Sequence, residues 1–187
     1  MFKEDRATAM ASYFVAKAGG GIPYIKLMKL MYFAEREWLL FSGATMLGDS
    51  FFSMDNGPVL SYVWDCMNRK SQNRSSGRGG IWNKFLSTVS DGCIKELSML
   101  DGQTMFTPPQ QRVLDSVWNN YGHFTEEELI EISHKLPEWK KPKDSSSVLI
   151  QFKTVFDSLD ASDEDKRGMV RRVMMKRNID NFFANAK

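Results

Sequence analysis

Hydrophobic positions along this chain recur mostly every three or four residues, the spacing that places them on one face of an α-helix. Over residues 6–18 they form one such face, and a run of three glycines from Gly19 predicts where that helix ends. Residues 23–42 are apolar on more than one face, a pattern typical of a helix that is buried on most sides. The pattern therefore predicts a compact, mainly α-helical domain around a central buried helix at about 23–42.

Prolines and capping residues mark further helix starts. Pro58 favours the first turn of a third helix, which we expect to continue to about Lys70. A threonine three residues before a glutamine or glutamate is the spacing of a capping box, and it occurs at Thr107 and at Thr125. Further helices are accordingly predicted over about 107–121, 125–134, 148–159 and 162–184.

Two segments lack the helical period and predict extended structure. Phe51 and Phe52 lie within the turn-rich stretch 44–57 and indicate a short extended piece. The pair Asp91-Gly92 separates two partly apolar runs, which is a typical sign of a β-hairpin. The small β-hairpin predicted here has its strands at 85–89 and 93–97.

The composition is that of an ordinary globular protein. The 187 residues are 42% hydrophobic, and 25 Lys and Arg against 23 Asp and Glu leave a net charge of +2, which disfavours nucleic acid as the main partner. The two cysteines, Cys66 and Cys93, are too few for a disulfide framework or a four-cysteine zinc site. Because the apolar runs are too short for a membrane helix and the start lacks a signal-peptide pattern, we expect a cytoplasmic protein with no membrane partner.

Motifs for catalysis or cofactor binding are missing from the sequence. The two cysteines and the two histidines, His123 and His134, do not have the spacing of metal ligands. There is also no phosphate-binding glycine loop and no dinucleotide fingerprint. We therefore expect a non-enzymatic protein with no catalytic residue, cofactor or metal. A hydrolase or nuclease of unrecognised type, using His134 or Cys66, stays open as an alternative.

Two basic segments point to a second alternative. Residues 71–80 are rich in Ser, Gly and Arg and have no apolar side chain, so they predict a mobile loop. This loop lies in the basic segment 69–84, and a second basic segment, 166–177, lies in the last predicted helix; neither contains an acidic residue. Such segments can contact phosphates, which leaves open a nucleic-acid-associated accessory protein.

A helix motif and a turn motif together resemble a known family. The helix motif reads Lys26-Leu27-Met28-Lys29-Leu30-Met31-Tyr32-Phe33-Ala34, and the turn motif reads Gly57-Pro58-Val59 with Tyr62 after it. Ser133-His134, followed by Pro137 and Trp139, adds a third element of the pattern. Over about residues 5–142 the chain resembles the Panacea domain, the SocA-like antitoxin family. It departs from that family at Met54, where members usually have an aromatic residue.

The resemblance implies a function in binding. It implies a mainly helical antitoxin domain over residues 1–142, with residues 143–187 as a helical extension packed on the same domain. Such a protein would neutralise a toxin encoded nearby by binding it directly, and some relatives act as adaptors that present the toxin to a protease. Members also occur in phages and mobile elements. Lys26 and Lys29, three residues apart on one helix, are expected to hold carboxylates while the apolar face packs.

The toxin-specific surface is expected where the chain departs from the shared core. The candidate regions are the loop 71–80, the hairpin at Asp91-Gly92 and the tail 166–187, since an amphipathic helix is a common recognition element. The residues predicted to bind the partner are Arg74, Arg78, Arg171, Arg172, Lys176, Phe182 and Phe183.

Overall fold

The computed structural model describes residues 1–68, 80–101, 103–144 and 146–185. Helices dominate these residues, which confirms the predicted mainly helical class. The elements are α1 (Glu4–Lys17), β1 (Gly21–Pro23), α2 (Tyr24–Ser42), β2 (Phe51–Met54), β3 (Gly57–Leu60), α3 (Ser61–Met67), α4 (Trp82–Phe85), β4 (Cys93–Lys95), a short 3-10 helix (Gln103–Met105), α5 (Pro108–Tyr121), α6 (Glu126–His134), β5 (Val148–Ile150), α7 (Phe152–Phe156) and α8 (Asp163–Asn185).

Helix α2 is buried along its middle stretch, as α1 is from Ala7 to Val15. Every residue from Leu27 to Glu35 is buried, so this stretch has no solvent-exposed face. The helix packs against α1, α5 and α6 and against the strands β1 and β3. It follows Pro23 and ends at Gly43, which has a left-handed backbone conformation (φ 65°). The N–H of Gly43 donates to the carbonyl of Leu39. The residues of the helix motif therefore lie where several elements meet.

Two small antiparallel sheets flank this helix. In the first, the strand order is β3-β2-β5, with Phe51 of β2 opposite both Leu60 of β3 and Ile150 of β5. In the second, β1 pairs with β4. Phe51 is buried on the middle strand of the first sheet, where its ring meets the rings of Tyr32 and Phe152 edge to face. The first sheet thus joins the middle of the chain to its C-terminal part.

Two predicted helices begin later than expected. The third helix was expected from Pro58, but Gly57–Leu60 form the edge strand β3, and α3 begins at Ser61. Proline lacks a backbone N–H and is tolerated at the edge of a sheet as well as at a helix start, so a proline alone does not distinguish an edge strand from a helix. The helix expected over 148–159 is likewise wrong at its start, where β5 precedes the short α7.

The Asp91-Gly92 turn forms as the sequence indicates. Both residues have positive φ, 50° and 74°, as a two-residue type I′ hairpin requires, and Ser90 and Cys93 exchange two backbone hydrogen bonds of 3.0 Å. The arms differ from the prediction, because Phe85 ends α4 and the continuous partner of β4 is β1. Residues 71–79 of the predicted loop lie outside the described residues.

The C-terminal elements pack on the same core. Helix α7 buries Phe152, Val155 and Phe156, and α8 packs on α7 and buries Val173. A boundary at residue 142 stays a prediction. Within the described ranges, none of the helices combines the length and the apolar character needed to cross a lipid bilayer.

Candidate functional site

The β2–β3 turn brings the separated motif residues together. Trp139 donates from its indole N–H to the carbonyl of Met54 (3.1 Å), and His134 donates from Nε2 to the carbonyl of Asp55 (3.0 Å). The two rings stack on each other. Burial and the nearby cations of Lys29 and Lys141 lower the pKa of His134, and its bond to Asp55 opposes that shift. The end of α6 and the loop after it therefore hold the turn in place.

Gly57 sits where this turn meets α2 and α6. Its φ is 92°, and a Cβ at this position would lie 2.2 Å from Ser133 Oγ and 2.7 Å from Lys29 Nζ. Both the backbone conformation and the lack of space therefore require glycine. This close approach explains why the turn motif begins with Gly57.

Lys29 is a buried cation at the same place. Its ammonium donates to the carbonyl of Pro58 (2.9 Å), and burial lowers its pKa to about 7. The expectation that Lys29 holds a carboxylate is wrong, because a backbone carbonyl of β3 is its acceptor. Lys26 acts differently, since its charge lowers the pKa of Glu126, although burial leaves that pKa raised overall.

Tyr32 belongs to a second polar cluster. Its hydroxyl donates to Glu138 Oε1 (3.0 Å), and Arg36 binds both oxygens of the same carboxylate, at 2.6 and 3.3 Å. Arg36 also donates to Ser158 Oγ (3.1 Å). The Glu138 side chain has no exposed surface. The network links α2 to the loop after α6 and to the turn after α7.

The remaining motif residues pack in the core or beside it. Leu27, Leu30 and Val59 are buried. The ring of Tyr62 lies 5.1 Å from that of Phe2, and its backbone N–H donates to the carboxylate of Asp49. The motif residues are therefore brought together as a supporting structure for the turn and for α2.

Two buried acids in this region were missed at the level of sequence. Asp49 accepts bonds from the N–H groups of Tyr62 and Val63 and so caps α3 from a distant position in the chain. Glu35 accepts from the N–H groups of Met46 and Leu47, and burial raises its pKa to about 7. Neither acid lies a few residues from the N–H groups that it binds, so no capping pattern reveals it in the sequence. The one available signal is that Glu35 is an acid within a helix that is apolar on most sides.

A cleft opens beside the β2–β3 turn. Its volume is about 190 Å³. The residues along it include Tyr24, Met28, Lys29, Asn56, Val59 and Trp64. The walls are mainly apolar, with Lys29 as the cationic residue among them.

The residues predicted to bind a partner lie mainly on α8. Arg171, Arg172 and Lys176 are exposed there, and so is Phe182. Phe183 also lies on α8, but its side chain is not among those described. Arg74 and Arg78 lie outside the described residues.

The histidines and cysteines form no metal site in the part of the chain that the structure describes. No group of three or more His, Cys, Asp or Glu side chains in those ranges could hold an ion. Cys66 is buried in α3, and Cys93 is half-buried in β4.

Comparison with known families gives one match. Residues 27–140, more than half of the chain, match the family described as antitoxin SocA-like, Panacea domain. The matched range runs from the first buried residue of α2 to just past Trp139, and it ends before β5, α7 and α8. No curated protein and no solved structure matches the chain.

Proposed function

The chain belongs to the SocA-like antitoxin family with a Panacea domain, and from this membership we propose that it neutralises a toxin encoded nearby by binding it directly in the cytoplasm. The family match over residues 27–140 is the observation that carries the proposal, and it confirms the resemblance expected from the motifs. The range includes the buried part of α2, the β2–β3 turn and the His134–Trp139 pair. Membership of an antitoxin family indicates a toxin as the partner.

The proposed activity is binding without catalysis. Its support is that the polar motif residues are used within the fold. Lys29 bonds to Pro58, Tyr32 to Glu138, and His134 to Asp55. We expect the chain to act through its surface rather than through a reacting group.

Co-expression with the neighbouring genes tests the proposal. Each small neighbouring gene is expressed alone and together with this chain, and colony formation is counted. We expect one neighbour to stop growth when alone, growth to return with this chain, and the two proteins to purify as a complex. The matched control is the same gene with a stop codon at Lys26, which keeps the nucleic acid and removes the protein. A toxic neighbour that this chain neither binds nor counteracts would refute the proposal.

The mode of neutralisation needs a separate experiment. We propose that occupying the toxin is sufficient, and that presentation to a protease, which the resemblance implies for some relatives, is a further mode. The toxin's activity is measured with purified proteins, and its half-life is measured in cells with and without each ATP-dependent protease. If the toxin is fully inactive in the purified complex, direct neutralisation is supported. A toxin that is inhibited only in cells, and that persists when one protease is deleted, supports the adaptor mode instead.

A nucleic-acid-associated role is the second candidate. The observation that favours it is the exposed group Arg171, Arg172 and Lys176 on α8. Contacts with phosphates make affinity fall steeply with salt, so binding to a DNA duplex is measured from low to physiological salt. Weak binding with a flat salt response would remove this candidate, and the net charge of +2 leads us to expect that result.

A further inference from the structure

Helix α8 is apolar on two opposite faces. Its inner face packs on the core through Val173, which is buried, and through Met169 and Val170, which are half-buried. Met175, Ile179 and Phe182 are 66%, 45% and 70% exposed. These three residues, which we call the outer stripe, are large apolar side chains that face solvent on a helix whose other side already contacts the protein.

The spacing of the outer stripe is that of a continuous helix face. With about 100° of rotation per residue, its three members lie within roughly 60° of one another, and Val173 lies about 160° from Met175. Arg171, Met174 and Asn178 border the stripe on this open face of the helix. The stripe therefore has the i, i+4, i+7 pattern by which a helix is recognised in the groove of a partner.

The charges beside the stripe narrow the choice of occupant. Residues 166–182, which include the stripe, contain six Lys and Arg against one acid, Asp180, and Arg171, Arg172 and Lys176 are exposed. A second copy of the same face would bring these cations together, which like-charge repulsion disfavours. A partner with acidic side chains around an apolar groove would gain both apolar burial and charge complementarity.

We propose that the outer stripe of α8 is the surface that binds the toxin, and that the toxin offers an apolar groove bordered by Asp and Glu side chains. The inference rests on the proposed antitoxin function and adds where and how the partner is recognised. It also places recognition outside residues 27–140, the range that matches the family. The family range would thus supply the scaffold, and α8 the choice of partner.

Paired substitutions in the full-length chain test the stripe. We compare Met175→Asp with Ile179→Asp against a control pair, Phe41→Asp with Met99→Asp, whose side chains are 74% and 87% exposed on α2 and after β4. Affinity for the purified neighbouring toxin is measured by calorimetry, and the thermal midpoint checks folding. Because a few central residues carry most of the binding energy of an interface, we expect at least ~100-fold weaker binding for the stripe pair and wild-type binding for the control.

A second pair tests the acidic partner. Arg171→Glu with Arg172→Glu should slow association and reduce its dependence on salt, whereas Lys135→Glu with Lys143→Glu, at exposed positions outside α8, should leave both unchanged. If the basic pair alters DNA binding but not toxin association, or if the stripe pair only dissolves a dimer of this chain, the inference is overturned.

The failures of the two proposals are distinguishable. A wild-type chain that binds the toxin, together with a stripe pair that binds it equally well, would overturn this inference and leave the antitoxin function standing. A wild-type chain that binds no neighbouring toxin would overturn the function, and this inference with it.

Discussion

The indole of Trp139 lies flat against the imidazole of His134, with the ring centroids 3.8 Å apart and the planes inclined by 14°. Each ring also donates to a carbonyl of the β2–β3 turn. The pair thus fixes the position of the β2–β3 turn, although the turn residues Asp55 and Asn56 are themselves exposed. Stability of the turn should depend on both rings together.

Replacing Trp139 should separate the hydrogen bond from the stacking. Trp139→Phe keeps a ring and loses the bond to Met54, so we expect a loss of about 1 kcal/mol in the free energy of unfolding. Trp139→Ala should cost about 3 kcal/mol. Urea titration measures both, and a double-mutant cycle with His134→Ala measures the coupling. Additive effects in that cycle would contradict a joint role for the rings.

Gly57 should tolerate alanine far less well than Gly92 does. Both residues have positive φ, 92° and 74°, but nothing lies within 4 Å of a Cβ at Gly92, whereas Ser133 Oγ and Lys29 Nζ crowd a Cβ at Gly57. Gly92→Ala should therefore cost about 1 kcal/mol for the backbone alone. Gly57→Ala should cost about 3 kcal/mol, because crowding of the packed core is added.

Equal losses of stability in Gly57→Ala and Gly92→Ala would contradict the crowding at Gly57. A second variant tests the same crowding by removing one of the neighbouring atoms. In the Gly57→Ala background, Ser133→Ala removes the nearest oxygen, and we expect it to restore part of the lost stability. Thermal unfolding of the four proteins is sufficient for this comparison.

Lys29 should make stability depend on alkaline pH. Its folded pKa of about 7 lies below the ordinary value of 10.5, so between these limits the unfolded chain binds more protons. Its contribution to stability should therefore rise with pH across that window, by an amount on the order of 4 kcal/mol. Lys29→Met removes this contribution, so the free energy of unfolding of the variant should fall relative to that of the wild type between pH 7 and pH 10. Lys95→Met, at an exposed position, should show no such difference in urea titrations.

Glu35 should act in the opposite direction at acidic pH. Its folded pKa of about 7 lies above the ordinary value of 4.5, so between these limits the folded chain binds more protons. Its contribution to stability should fall as pH rises from 4.5 to 7, by an amount on the order of 3 kcal/mol. Glu35→Gln should remove that slope, and Glu131→Gln, at an exposed position, should retain it. A slope that persists in Glu35→Gln would mean that another group causes it.

Helices with local signals could be predicted from the sequence. At α6, Thr125 Oγ1 accepts from the Glu128 N–H and Glu128 accepts from the Thr125 N–H, as the spacing indicated, and at α5 Gln110 accepts from the Thr107 N–H. A capping box lies within four residues, so its signal is visible without any tertiary contact.

The short strands could not be predicted in the same way. Strand β5 has three residues, and its partner β2 lies almost a hundred residues earlier in the chain. Over three residues an alternating pattern cannot be told from a helical one. At β3, Pro58 is compatible with a helix start and with a sheet edge, so only the pairing with Ser53 decides between them.

The candidate site was predicted as a set of residues rather than as an arrangement. The motif identified Lys29, Gly57 and Trp139, and the structure shows that they meet at one turn. Ser133 stands beside His134 in the motif, whereas Glu138, which completes the Tyr32 cluster, carries no local signal because its partners lie on distant elements. The outer stripe of α8 needed the structure too, since the sequence alone does not tell which of its apolar positions face the core.

The pairing of β5 with β2 has a practical consequence for anyone who shortens this chain. A gene fragment cut at the end of the family match would leave out Val148–Ile150 and turn β2 from an inner strand into an open one. Its unpaired N–H and C=O groups would then offer a template for strands of other molecules. We expect such a fragment to precipitate when overproduced, so the family's limits are a poor guide to where this protein can be cut.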